Sequence, residues 1–323
     1  MRSAFFDALF EAATDDRRIC LVVGDLGYSV VEPFAAAFPD QFINAGVAEQ
    51  NMTGLAVGMA LTGKIVFTYS IANFSTLRSL EQIRNDVCYH RANVKVVSVG
   101  GGLAYGTLGM THHATEDLAI MRALPDMTVV APGDPVEAKL ATRAVIKHVG
   151  PCYLRLGRTG EPIVHAADPD FQLGRAIVVR DGSDVTLIST GAMLGVAIAA
   201  ADLLNARGIG VQVISMHTLS PLDEEAVISA AAQTRYVVTL EEHSIVGGLG
   251  GAVAEVMAEQ SSGGAQLKRI GLRPTFNRVV GDQAYLRSLH GLDLDTVVKT
   301  IANLVETGDR PTSAVANIDS SSK

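Results

Sequence analysis

Phe42–Gly63 reads FINAGVAEQNMTGLAVGMALTG. A short apolar run, Phe42-Ile43-Asn44-Ala45, turns at Gly46 and leads into a small-residue segment from Ala48 to Leu61. This is a strand feeding a helix. On that helix Gly54 and Gly58 share one face and leave it bare. Each glycine costs ~1 kcal/mol in a helix interior relative to alanine, so two on one face imply that another backbone approaches there. One carboxylate, Glu49, stands at the head of the helix, where the helix dipole favours negative charge. Held in apolar surroundings, such a carboxyl keeps or passes a proton. The competing reading is a plain first-turn glutamate in water.

Working outward, strands and helices alternate along the chain. Ile19–Val23 is a continuous apolar run closed by Gly24-Asp25, the pattern of a buried parallel strand. Asp25 and Ser29 lie in the loop after it, at the end of the strand where open α/β sheets bind ligands. Further strands are expected at Lys64–Tyr69, Val94–Val99, Thr128–Val130 and Cys152–Leu156, with one helix over Phe74–His90 and others over Glu116–Ala123 and Pro135–His148. A second alternation follows a polar, proline-containing linker. The fold class is therefore α/β, with two successive domains and mostly parallel sheets. Residues 1–165 form the first domain, 166–182 the linker, 183–306 the second domain and 307–323 a polar tail without structure. The end of the linker is expected to add an edge strand to the second domain.

The 323 residues suit about two domains, and 48% hydrophobic with 19% charged residues supplies enough apolar material for sizeable cores. A net charge of −8 without a basic run argues against a nucleic-acid or anionic-membrane surface. Three scattered cysteines, Cys20, Cys88 and Cys152, show no metal spacing and read as buried thiols of a reducing compartment. With no signal peptide and no apolar run of ~18 residues, a cytoplasmic location is expected.

GVAEQNM followed by the glycine-containing helix resembles the pyrimidine-binding domain of transketolase-like thiamine diphosphate enzymes. The resemblance extends from VVGD at Val22 through LRLGR ending at Arg158, and on through EEHSIVGGLGGAVAE, which is similar to the transketolase C-terminal domain. It implies that Glu49 hydrogen-bonds the aminopyrimidine of thiamine diphosphate. The stretch TYSIANFSTLRSLEQIRND implies that Phe74 stacks on that ring, with Arg78 beside it and Ile71 where many relatives have a second phenylalanine. GMTHH looks like the family's GPTH, which makes His112 the catalytic histidine near the substrate, with His113 as the neighbouring alternative. GDLGYS is similar to the loop that meets the cofactor and the substrate phosphate, through Asp25 and Ser29; Asp25 equally suits a turn cap. Arg155 and Arg158 suit either an anion or an interdomain ion pair. Leu108 and Gly100 stand where sugar transketolases carry groups that touch the sugar, so an ordinary pentose phosphate is in doubt. Glu241, Glu242 and His243 are adjacent on a strand and point alternately to opposite faces, which disfavours a metal cluster.

No GDG motif in the family's diphosphate-binding context is present, and no metal ligand is assigned to this chain. The resemblance thus implies the C-terminal subunit of a split transketolase, in an (αβ)₂ heterotetramer. The N-terminal partner subunit would hold the diphosphate through Mg²⁺. The implied reaction moves a two-carbon ketol unit from a sugar-like donor to an aldehyde. The alternatives are the β subunit of a 2-oxoacid dehydrogenase E1 component and a non-catalytic subunit of the same fold.

Overall fold

The computed structural model describes residues 1–260 and 264–308. The first domain runs α1 (Arg2–Asp15), β1 (Ile19–Val23), α2 (Glu32–Ala37), β2 (Phe42–Asn44), α3 (Glu49–Leu61), β3 (Ile65–Ile71), α4 (Ala72–Leu77) and a short α5 (Leu80–Gln82). It continues through a π-helix (Ile83–Cys88), β4 (Val94–Val99), α6 (Asp117–Arg122), β5 (Thr128–Val130), α7 (Pro135–Lys147) and β6 (Cys152–Leu156). β1, β4 and β6 are buried along their whole length. The reason is that helices cover both faces, α1 and α7 on one side and α3 on the other, so these strands carry no polar alternation.

The second domain contains β7 (Ile177–Arg180), β8 (Val185–Ser189), α8 (Leu194–Asn205), β9 (Val211–Ser215), β10 (Thr218–Ser220), α9 (Glu224–Gln233) and β11 (Tyr236–Ser244). It ends with α10 (Leu249–Glu259), β12 (Gln266–Leu272), α11 (Gln283–Leu289) and α12 (Leu294–Gly308). Its sheet has the order β12-β11-β8-β9-β7 and is parallel except for β7, the expected edge strand. The first sheet has the order β10-β5-β6-β4-β3-β1-β2. β10 crosses from the second domain and pairs antiparallel with β5. One apolar cluster also spans the seam, joining Met121 and Val129 to Ile188, Ile214 and Leu249.

Two expectations differ from what is observed. The single helix over Phe74–His90 is broken into α4, α5 and the π-helix. Ser75, Thr76 and Ser79 each donate a hydroxyl to the carbonyl four residues back, at 3.2, 2.6 and 2.8 Å, which competes with the regular ladder and bends it. The tail expected from residue 307 begins inside α12, and its remainder, 309–323, lies outside the described residues. Among the described residues no helix is long and apolar enough to cross a membrane.

The strand order places a topological switch between β1 and β3. The chain leaves β1 towards β2 at the sheet edge, and leaves β3 towards β4 in the opposite direction. A crevice forms where such connections diverge, outside the carboxyl ends of the strands. Gly24, Ser70 and the first residue of α3 meet there.

Candidate functional site

Glu49 opens α3 and is only 1% exposed. Its surroundings are not the apolar ones expected. Arg78 donates from Nη1 to Oε2 at 2.8 Å, and the Ser70 hydroxyl donates to Oε1 at 3.3 Å. Gly24 backs the carboxylate closely: a Cβ there would lie 3.8 Å from Oε1. The Arg78 guanidinium also lies over the Phe74 ring, its carbon 4.7 Å from the centroid, an attractive cation–π geometry. Phe74 in turn meets His112 edge-on at 5.0 Å between centroids. Beyond His112 comes Tyr105 at 6.4 Å, and over Tyr105 lies Arg158 at 5.1 Å. Glu49, Arg78, Phe74, His112, Tyr105 and Arg158 therefore form one continuous row, from the switch point to the end of β6.

Tyr105 and Ser70 were not among the residues singled out from sequence. Tyr105 lies in the same glycine-rich stretch as His112, and Ser70 precedes Ile71 on β3. Strand alternation explains the contrast between those two neighbours. Ser70 turns to Glu49, whereas Ile71 packs with the core on the α1 side, so Ile71 does not line the row.

The other residues are placed apart from it. Asp25 has φ +55° and braces the loops after β1 and β2. It donates its backbone N–H to Asn44 Oδ1 at 3.1 Å and accepts from Asn44 Nδ2 at 2.9 Å, so it is the Asn44 side chain, which also accepts the Gly46 N–H at 3.0 Å, that caps the backbone here and not the Asp25 carboxylate. Ser29, at φ +71°, donates its N–H to Glu32 and faces a groove shared with Phe6 and Phe10 of α1, away from Glu49. Arg155 is 6% exposed and is bound inside the protein. It donates to Asp117 at 2.8 Å, to the Ala114 carbonyl at 2.9 Å and, across the seam, to the Glu242 carbonyl at 3.1 Å. Neither reading expected for Arg155 is matched as stated: its ion pair is with Asp117 of its own domain, and what crosses the seam is the hydrogen bond to the Glu242 carbonyl, while Arg158 stays exposed at the outer end of the row.

The two histidines diverge. His112 faces Phe74; His113 is 5% exposed and lines a separate cavity of about 340 Å³ with Asn73, Leu77 and Arg273. Burial pushes the His113 imidazole below its ordinary pKa. Glu241 and His243 share one face of β11, with His243 Nδ1 3.7 Å from Glu241 Oε2, while Glu242 points to the other. Glu241 accepts the N–H groups of Leu249 and Gly250 at 2.7 and 2.8 Å, Glu242 accepts from Leu103 and Arg287, and His243 accepts from the Ala119 N–H. Among the described residues no group of three or more His, Cys, Asp or Glu could hold a metal ion.

The chain matches the family model "Transketolase, pyrimidine binding domain" over residues 1–161 and "Transketolase, C-terminal domain" over residues 174–297. It is 39% identical to the 6-deoxy-6-sulfo-D-fructose transketolase subunit SqwH of Clostridium sp. (strain MSTE9), over 95% of this chain and 94% of that one. It is 38% identical to an apulose-4-phosphate transketolase subunit of Phocaeicola vulgatus, over 94% of this chain and 97% of that one. A solved structure described as a split-gene transketolase, inactive beta4 tetramer, superposes with a TM-score of 0.85 at 38% identity, covering 94% of this chain and 97% of that chain. With both domains matched in order and near-complete coverage of subunit-length relatives, the chain belongs to the transketolase family, as a counterpart of its C-terminal subunits.

Proposed function

We propose that this chain is the C-terminal subunit of a split, thiamine diphosphate-dependent transketolase, which moves a two-carbon ketol unit from a ketose-type donor to an aldehyde. The observation that carries the reading is the row from Glu49 to Arg158. A planar cation with N–H donors, the Arg78 guanidinium, already lies against Glu49 and over Phe74. A flat aminopyrimidine needs the same pair, a carboxylate at its edge and a ring against its face, so the residues present fit the group. When bound, thiamine diphosphate supplies a nucleophilic carbon that cleaves and forms C–C bonds beside a carbonyl. Glu49 accepts and returns a proton at the pyrimidine edge. Phe74 holds the ring by its face. His112, across Phe74, moves protons at the substrate oxygens, and Arg158 over Tyr105 receives the anionic end of the donor.

Mg²⁺ and the diphosphate are held by an N-terminal partner subunit in an (αβ)₂ assembly. Apolar side chains exposed close in sequence to the site residues support such a contact: Val47, Leu77, Leu108 and Met110 are 72%, 48%, 53% and 47% exposed. The relatives' names, both transketolase subunits, favour a sugar-like donor over a 2-oxoacid.

The test is calorimetric titration of thiamine diphosphate with Mg²⁺ into this chain alone and into its assembly with the partner, then turnover of ketose phosphates by wild type and Glu49→Gln. Binding only to the assembly and a loss of roughly a hundredfold or more in turnover for the variant are expected. Unchanged turnover of Glu49→Gln would sink the catalytic assignment, and tight binding to the isolated chain would overturn the shared site.

A further inference from the structure

His112 is carried by a loop whose base is gripped by the other domain. The loop is closed by a two-way backbone pair between Gly102 and Ala114, at 2.8 and 3.0 Å. Its floor is charged. A Cβ on Gly101 would lie 2.6 Å from Arg155 Nε, and one on Gly102 would lie 2.7 Å from the Glu242 Cγ and carbonyl oxygen, so only glycine lets the backbone rest on these groups. The next residue, Leu103, donates its N–H to Glu242 Oε1 at 2.6 Å and sinks its side chain into the core of the second domain.

Glu242 is 3% exposed, and its carboxylate is saturated. Besides Leu103 it accepts from Gln283 at 2.9 and 3.0 Å and from Arg287 Nε at 2.7 Å, with a second, shorter bond from the same guanidinium. Both donors stand on α11. β11 reaches this point because its last residues run past its pairing with β8, which ends at Leu240, and enter the seam, where the Ser244 N–H meets the Thr115 carbonyl at 2.8 Å. The far side of the loop is pinned beside Phe74, by Asn73 Nδ2 on the Thr111 carbonyl at 2.5 Å.

We propose that Glu242, clamped by Arg287 and Gln283, is a positioning residue for His112: it fixes the base of the 102–114 loop, so the second domain sets where the histidine stands against Phe74. This gives the second domain a part in the reaction without placing any of its side chains on cofactor or substrate. It rests on the role proposed above for His112. A charged acceptor suits the task, because a hydrogen bond to an ionised group is stronger than a neutral one and its partners on α11 leave it one geometry. Glu242→Gln keeps the shape but turns an amide N–H towards donors.

The test has two arms. In the isolated full-length chain, amide hydrogen exchange across residues 103–113 is compared between wild type and Glu242→Gln. At least tenfold faster exchange there is expected, with β1, β4 and β8 unchanged; unchanged exchange in the loop overturns the proposal. Gln283→Ala, which removes one neutral donor from a half-buried position, repeats the test should Glu242→Gln fail to fold, and is expected to give a smaller increase in the same segment; no increase from it counts against the clamp.

In the assembled enzyme, turnover of hydroxypyruvate as two-carbon donor is measured for wild type, Glu242→Gln, His112→Gln and the double variant, alongside thiamine diphosphate affinity. A residue acting through His112 lowers kcat about tenfold in the wild-type background and less than twofold when His112 is already gone, with cofactor affinity unchanged. Equal losses in both backgrounds, or a matching loss of cofactor affinity, overturn the positioning role. If His112→Gln alone leaves turnover intact, the proposed function of that histidine fails, while the exchange arm still decides whether Glu242 fixes the loop.

Discussion

Arg78 is the close partner of Glu49, with Ser70 a longer second donor, and that would shape how a cofactor enters. The carboxylate is buried, whereas the arginine side chain is 47% exposed, with solvent on its outer side. A ring that takes the Glu49 contact and the Phe74 face has to displace the guanidinium from both. Arg78→Met removes that competitor and leaves a buried carboxylate short of donors, an arrangement costing about 1–3 kcal/mol that a bound aminopyrimidine relieves. Titration of thiamine diphosphate with Mg²⁺ into the assembled variant is therefore expected to show binding roughly tenfold tighter or more than wild type. Weaker binding would mean that Arg78 supports the cofactor instead of holding its place. Glu49 stood out by its place at the head of the glycine-containing helix, whereas Phe74 and His112 entered only through the family resemblance of their motifs. What was not legible was Arg78 folded back onto both, because residue spacing does not say whether a long side chain reaches into a site or out of it.

At the scale of elements, the strands buried on both faces were readable, since continuous apolar runs such as Ile19–Val23 and Cys152–Leu156 leave little choice of period. The pieces that escaped are those whose stability comes from outside themselves. β10 is three residues long and exists because β5 offers it an edge. α11 buries only Leu286 in the core and is held from β11, through Gln283 and Arg287 on Glu242. α3 shows the converse: it was legible, and its two glycines are a defect that the isolated chain does not need. A Cβ on Gly54 or Gly58 meets no atom within 4 Å, so both open onto the surface. Gly54→Ala and Gly58→Ala should each stabilise the isolated chain by about 1 kcal/mol, read from urea denaturation, and should weaken assembly with the partner subunit, read by ultracentrifugation. Gains in stability with unimpaired assembly would show that this face is not the contact.

At the scale of the molecule, the seam between the domains combines ion pairs, Arg155–Asp117 and Arg287–Glu242, with buried groups whose titration burial shifts. His217 is fully buried, stacked on Phe171 of the linker at 3.9 Å, and its carbonyl accepts the Ala131 N–H at 2.7 Å, so it ties linker, first sheet and second domain together. Burial pushes its pKa down to about 4 from an ordinary 6.5. Below pH 6.5 the unfolded imidazole takes up a proton that the folded one refuses until about 4. The unfolded state thus binds more protons across that window. The stabilisation from His217 is complete above 6.5 and is lost as the pH falls towards 4, at no more than about 1.4 kcal/mol per pH unit. His243, also pushed by burial to about 4, acts in the same direction. Glu241 acts oppositely: burial pushes its carboxyl up to about 7, so its stabilisation is complete below 4.5 and is lost as the pH rises through 7. The wild-type profile is the sum of these, and a variant isolates one of them. His217→Gln is expected to be less stable than wild type at pH 7.5 and to close that gap steadily as the pH is lowered to 4.5, in urea midpoints measured at half-unit steps. A gap that stays constant over the window would show that His217 is no harder to protonate in the folded chain than in the unfolded one, and that the acid sensitivity of the seam has another source.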